Sequence, residues 1–207
     1  LYDQYVKTLL STWNRARGLA AGTSVQAPDV VQTLRILAPL ALWMHEVSPG
    51  VGLVKREDLR RKLESLFAER DDPDPELAAR QFMNDVREHA ALLLERGPGE
   101  YGFIHLTFEE YLAAVALALS GQGDSQPIVD KLSAHLGEQA WHEVSLLAVS
   151  YLGVIQQLDS VAGEVVEALA ESQQTEAILL AGEAVQDALP GGVPLKSKLK
   201  VVESLIP

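Results

Sequence analysis

Apolar residues recur at helical spacing through most of this chain, and short strand-like runs interrupt them near the middle. Leu1, Tyr2, Tyr5, Val6, Leu9, Leu10 and Trp13 fall on one face and predict a leading helix. Gly18 to Ala27, rich in Gly, Ala, Ser and Thr, predicts a linker. A second helix is expected from about Pro28-Asp29 to about Glu46, then a turn at Ser48-Pro-Gly-Val-Gly and a short strand over Val51 to Val54. Arg56 to Arg70 reads as a helix with Leu59, Leu63, Leu66 and Phe67 on one side. Asp71-Asp-Pro-Asp-Pro-Glu is a loop that ends in a helix start. Asp74 serves as N-cap and Pro75 takes the first helical position, and the helix runs to about Glu88. Two strands follow, roughly Ala91 to Glu95 and Tyr101 to Leu106, joined by Arg96-Gly-Pro-Gly-Glu.

Helix, short strand, helix, helix, strand, wing, strand is the order of a winged helix with a small β-hairpin. The pattern changes after about Ser120. Helices of about a dozen residues then alternate with short turns: Pro127–Leu136, Gln139–Leu152, Leu158–Ser172, Thr175–Leu189 and Leu195–Leu205. Leu146-Leu-Ala148 and Leu179-Leu-Ala181 recur 33 residues apart, and Leu132 and Leu169 recur 37 apart. That spacing suits helix pairs stacked in a HEAT-like or armadillo-like array, with a plain helical bundle as the alternative. The expected fold class is therefore mostly α.

Composition narrows the partners. The 207 residues carry a formal net charge of −12, split as −4 over residues 1–120 and −8 over 121–207. An acidic chain repels nucleic acid and anionic membranes. Cysteine is absent, which removes a disulfide framework and thiolate metal sites and fits a reducing, cytoplasmic setting. The longest apolar candidate, Ile36 to Val47, is interrupted by Pro39, His45 and Glu46 and falls short of a membrane span. The chain starts at Leu1 inside a helical pattern, which reads as a piece of a longer protein.

Catalytic motifs are missing. There is no phosphate-cradling Walker A sequence, no Gly-x-Ser-x-Gly elbow and no His-Glu-x-x-His. Gly97-Pro-Gly-Glu-Tyr-Gly102 matches a dinucleotide fingerprint in letters only. It joins two strands instead of opening a helix, so it is a hairpin turn. Asp71, Asp72 and Asp74 are too few and too stiffened by proline for a calcium loop. Lys55, Arg56, Arg60, Arg61 and Lys62 form the one basic cluster. The helix that would enter a DNA groove carries Glu76, Asp85 and Glu88 against Arg80 and Arg87, and the wing carries Glu100. Both features oppose DNA binding. His45, His89, His135 and His142 offer no ligand pattern, and a turn at Gly137 separates the last two.

His105 stands apart. It lies in Phe103-Ile-His-Leu-Thr-Phe-Glu-Glu-Tyr-Leu-Ala-Ala114, where a strand runs into a helix. Thr107 and Glu110 have capping-box spacing, which sets the expected helix start at Thr107. This segment, with Leu92-Leu-Leu-Glu before it, closely resembles the end of the winged helix of NACHT-type NTPases, in the STAND class of signalling ATPases. Residues 1 to 13 resemble the helix that closes that family's small helical lid. Trp141-His-Glu-Val-Ser-Leu-Leu-Ala-Val149 resembles the opening of the helical repeats that often follow. Glu109 stands where the family often has Gln.

The resemblance implies a division into the end of a lid domain with its linker (1–27), a winged-helix domain (28–120) and HEAT-like repeats (121–207). It implies that His105 contacts the β-phosphate of ADP in the parent protein, and that ADP or ATP with Mg belongs to an upstream ATPase core outside this chain. The implied role is a non-catalytic regulatory module that couples nucleotide state to ligand sensing and oligomerisation. Its expected partners are that core and proteins bound by the repeats, with no nucleic acid and no membrane. An independent scaffold that binds a basic partner through its acidic helices is the alternative.

Overall fold

The computed structural model describes residues 2–20, 30–89, 92–172, 174–188 and 191–206. These residues form ten α-helices and three short strands in two compact units, Leu1–Ala113 and Ala114–Pro207. Most of the linker expected at 18–27, the start of the second helix at 28–29 and Ala91 lie outside the described residues. Gly18 to Ala20 are helical.

In the first unit α1 (Tyr2–Ala20) buries Val6 and Leu10. The second helix, α2 (Val30–Val47), buries Leu37, Leu40, Ala41 and Met44 and contains Pro39 in its interior. Proline has no N–H, so the carbonyl of Arg35 loses its helical donor. The guanidinium of Arg70 donates to that carbonyl instead, and also donates to Leu66 O at 2.9 Å. One side chain thus repairs the defect in α2 and closes the end of α3 (Arg56–Ala68). α4 (Pro75–His89) packs on α3. Asp74 accepts from the amide of Leu77 at 3.0 Å, the N-cap bond expected from the sequence.

The sheet has the order β1-β3-β2, with β1 at Val54–Lys55, β2 at Leu93–Gly97 and β3 at Glu100–Phe103. Leu93 faces Phe103 and Glu95 faces Tyr101 across the hairpin, and Val54 faces Tyr101 on its other side. The strands are shifted from those expected. β2 continues to Gly97 because a bulge between Glu95 and Gly97 keeps it paired, and Gly99 turns at φ 73°. β3 stops at Phe103 because Ile104 donates to Leu92 O outside the ladder at 2.7 Å and α5 (Leu106–Ser120) starts immediately after His105. That start precedes the expected cap at Thr107 by one turn position, because the amide of Phe108 closes on the carbonyl of His105 at 3.1 Å.

The second unit alternates its helices between two layers. α6 (Gln126–Ala134), α8 (Asp159–Glu171) and α10 (Leu195–Leu205) pack in sequence, and α7 (Gln139–Ser150) packs on α9 (Thr175–Asp187). Of the positions that recur in the sequence, some share burial here and Leu146 and Leu179 do not. Leu132 and Leu169 are buried on α6 and α8, and Ala148 and Ala181 on α7 and α9. α7 leaves through a π-helical turn, Tyr151–Ile155, where Gly153 lies against the backbone of Gly192. A Cβ on Gly153 would fall 1.8 Å from the carbonyl oxygen of Gly192.

Gly153→Ala is expected to destabilise the chain by about 1–3 kcal/mol through overpacking against backbone that cannot rotate away. Asp74→Ala should cost about 1 kcal/mol through the lost cap. Chemical denaturation of both variants checks the two magnitudes.

Candidate functional site

The junction of β3 and α5 is held from three sides. Arg96 on β2 donates to the carbonyl of Ile104 at 3.2 Å, Ile104 donates to Leu92 O, and the carbonyl of His105 caps Phe108. His105 itself is exposed. Its ring stands 6.2 Å from that of Phe108, and Phe108 stacks on Tyr5 of α1 at 5.5 Å and 8°. Tyr111, one turn on, donates to Asp3 at 3.2 Å. The aromatic side of α5 therefore rests on α1, while the imidazole stands free of the sheet on a backbone that is pinned before and after it.

The opposite side of the same turn is buried. Glu109 is fully buried and lies 3.3 Å from Nδ1 of His45, itself fully buried on α2. Neither residue's partner was legible in the sequence. Sixty-four positions separate them, and only the folded path of α2 past α5 joins them. Burial pushes the Glu109 carboxyl above its ordinary range, and the hydrogen bond and charge of His45 offset part of that rise. Oε2 of Glu109 has no hydrogen-bond partner among the described residues. It abuts Gly52, where a Cβ would come within 2.2 Å of it. Gly52 also turns at φ 65°, so two independent constraints require glycine there. Its carbonyl in turn would meet a Cβ on Gly102 at 2.8 Å. Gly102, Gly52, Glu109 and His45 thus form a stack that ties β3, the turn after α2, α5 and α2 together.

The arrangement offers one exposed imidazole able to donate to an anion, beside a guanidinium at Arg96 that shares the same strand end. It holds no nucleophile with a base, and among the described residues no group of three His, Asp or Glu side chains is arranged to hold a metal ion. No described helix is long and apolar enough to cross a membrane. Two of the five residues of the basic cluster are paired with carboxylates of their own helix. Arg60 pairs with Glu57 and Glu64, and Arg61 with Asp58 at 3.1 Å. On α4, Arg80 pairs with Glu76 at 2.8 Å.

Residues 1–117 match the model of a family described as the winged helix-turn-helix domain C-terminal to NACHT. The matched stretch includes α1 to α4, the whole sheet and all but the last three residues of α5. No curated protein and no solved structure matches the chain.

A buried carboxyl with a raised pKa binds its proton more tightly in the folded chain than in the unfolded one. Its contribution to stability is present below the ordinary value of 4.5 and is lost as pH rises through the folded-state value. Glu109→Gln keeps a hydrogen-bonding group beside His45 and removes the titration. The variant should gain on the wild type as pH rises above 4.5, by roughly 1.4 kcal/mol for each unit by which the fold raises the pKa. Thermal unfolding of both proteins across that range tests this, and a constant difference between them refutes it.

Proposed function

The chain belongs to the family of winged helix-turn-helix domains C-terminal to NACHT, and we propose from this that it is a regulatory module that reads the nucleotide state of a NACHT core. Such a domain is not itself catalytic. The observation that carries the reading is the pinned junction at His105: an exposed imidazole on backbone that Leu92 and Arg96 hold at Ile104 and that the amide of Phe108 holds at the His105 carbonyl. A hydrogen-bond donor on fixed backbone discriminates a bound phosphate from an absent one without reorganising. In this reading His105 donates to the β-phosphate of ADP held by the core, and that contact keeps the winged helix closed on it. The nucleotide and its Mg belong to the core. In ATP the β-phosphate is no longer terminal, and the added γ-phosphate displaces the contact and frees the winged helix for oligomerisation, a two-state element biased by one ligand.

The helices after α5 take the part of a sensor. Their alternation between two layers supports a HEAT-like array, and such arrays present long surfaces to proteins. The acidic balance and the paired arginines of α3 and α4 support partners that are proteins and not nucleic acid. The cytoplasm is the location this reading assigns.

The test uses the chain joined to its native NACHT core. The purified protein is denatured, and the released nucleotide is identified by chromatography beside a His105→Ala version. Stoichiometric ADP in the wild type is expected, with a clear loss and a faster ADP off-rate in the variant. Equal retention in both removes His105 from the mechanism, and no nucleotide in either removes the switch.

A further inference from the structure

The second unit contains a groove of about 260 Å³ between the α6–α7 turn, α7 and α9. Glu138, Glu176 and Glu183 stand on its walls, and Leu179, Leu180 and Trp141 supply its apolar surface. Gly137 makes the turn at φ 78°, and the methylenes of Glu176 come close over it. Trp141 is buried, with His135 stacked on its ring at 3.8 Å and 5°. Lys131 stands 5.5 Å from the same ring. His135 in turn meets Glu138 at 3.1 Å, and His142 meets Glu183 at 2.6 Å. Leu179 is 53 % exposed although its repeat counterpart, Leu146, is buried.

We propose that this groove is a docking site for a peptide segment that presents an arginine or lysine beside an apolar side chain. Charge argues for that occupant. Three carboxylates line it, and Glu176 has no histidine against it as Glu138 and Glu183 do. Residues 121–207 carry twelve acidic side chains against four basic ones. Three of the four, Lys196, Lys198 and Lys200, are on α10, and Lys200 is already engaged by Glu167 and Glu171. The exposed Leu179 between Glu176 and Glu183 matches the apolar neighbour. A cation set between carboxylates while its stem covers a leucine gains both attraction and buried surface.

The proposal names the ligand chemistry of the part read above as the sensor, and rests on that reading for its role. The groove is tested on the 207-residue chain without nucleotide, so the two ideas fail separately. The probe is a fluorescein-labelled peptide of alternating leucine and arginine, with a leucine–glutamate peptide as its counterpart, read by anisotropy at about 0.15 M salt. The wild type should bind the arginine peptide alone. Glu176→Gln with Glu183→Gln should weaken binding roughly tenfold, and Leu179→Ala severalfold. Asp159→Asn with Glu203→Gln removes two charges that do not line the groove and should leave affinity unchanged. Equal losses in the two double variants would reduce the effect to overall charge and overturn the site. No binding by the wild type would overturn it as well. Self-association of the chain that is lost in Leu179→Ala would replace the peptide with a second copy and overturn the proposal.

Discussion

The buried pair of Glu109 and His45 is the constraint on which the winged-helix unit turns. An ionisable carboxyl placed out of water destabilises a fold unless a partner shares its proton or its charge. His45 is that partner, and it is available only when α2 and α5 cross at one register. The unpartnered oxygen then fits only against a residue without a side chain, which selects Gly52. Gly52 in turn admits β3 only at Gly102. A single polar contact therefore propagates into the placement of the turn, the strand and the helix start, and His105 inherits its position from all three.

The repair of α2 follows a similar logic at smaller scale. Pro39 leaves a carbonyl unsatisfied, and Arg70 fills it from thirty-five residues away. Both devices use a long-range polar partner to enforce an arrangement that apolar packing alone would leave degenerate. They lie on opposite ends of α2, so that helix is referenced to α3 at one end and to α5 at the other.

Much of the architecture was legible in the sequence, because its signals are local. The Asp74 cap, the Gly99 hairpin and the apolar periodicity of α6 to α10 all depend on neighbours within a few residues. The helix start at Leu106 was not, since Thr107 and Glu110 have the right spacing for a cap and the sequence cannot show that the amide of Phe108 closes on His105 first. The partner of Glu109 was hidden for a different reason. Burial is a property of the assembled chain, and a glutamate in the first turn of a helix ordinarily faces water and the helix dipole. His135 and His142 show the converse. A turn at Gly137 does separate their helices, yet the chain returns both to one groove, and only the placement of α9 reveals it.

The position of Glu109 carries one more consequence. On either side of it in sequence, the buried rings of Phe108 and Tyr111 pack against α1, while Glu109 meets His45 of α2 and only His105, just before the helix, is exposed. The first turn of α5 is therefore a lever with its fulcrum in the core and its free arm at His105. A force applied to the imidazole is passed through that turn to the buried contact between Glu109 and His45, where small displacements alter electrostatic energy steeply. In such a lever the acidity of the interior and the mechanics of the surface are one variable.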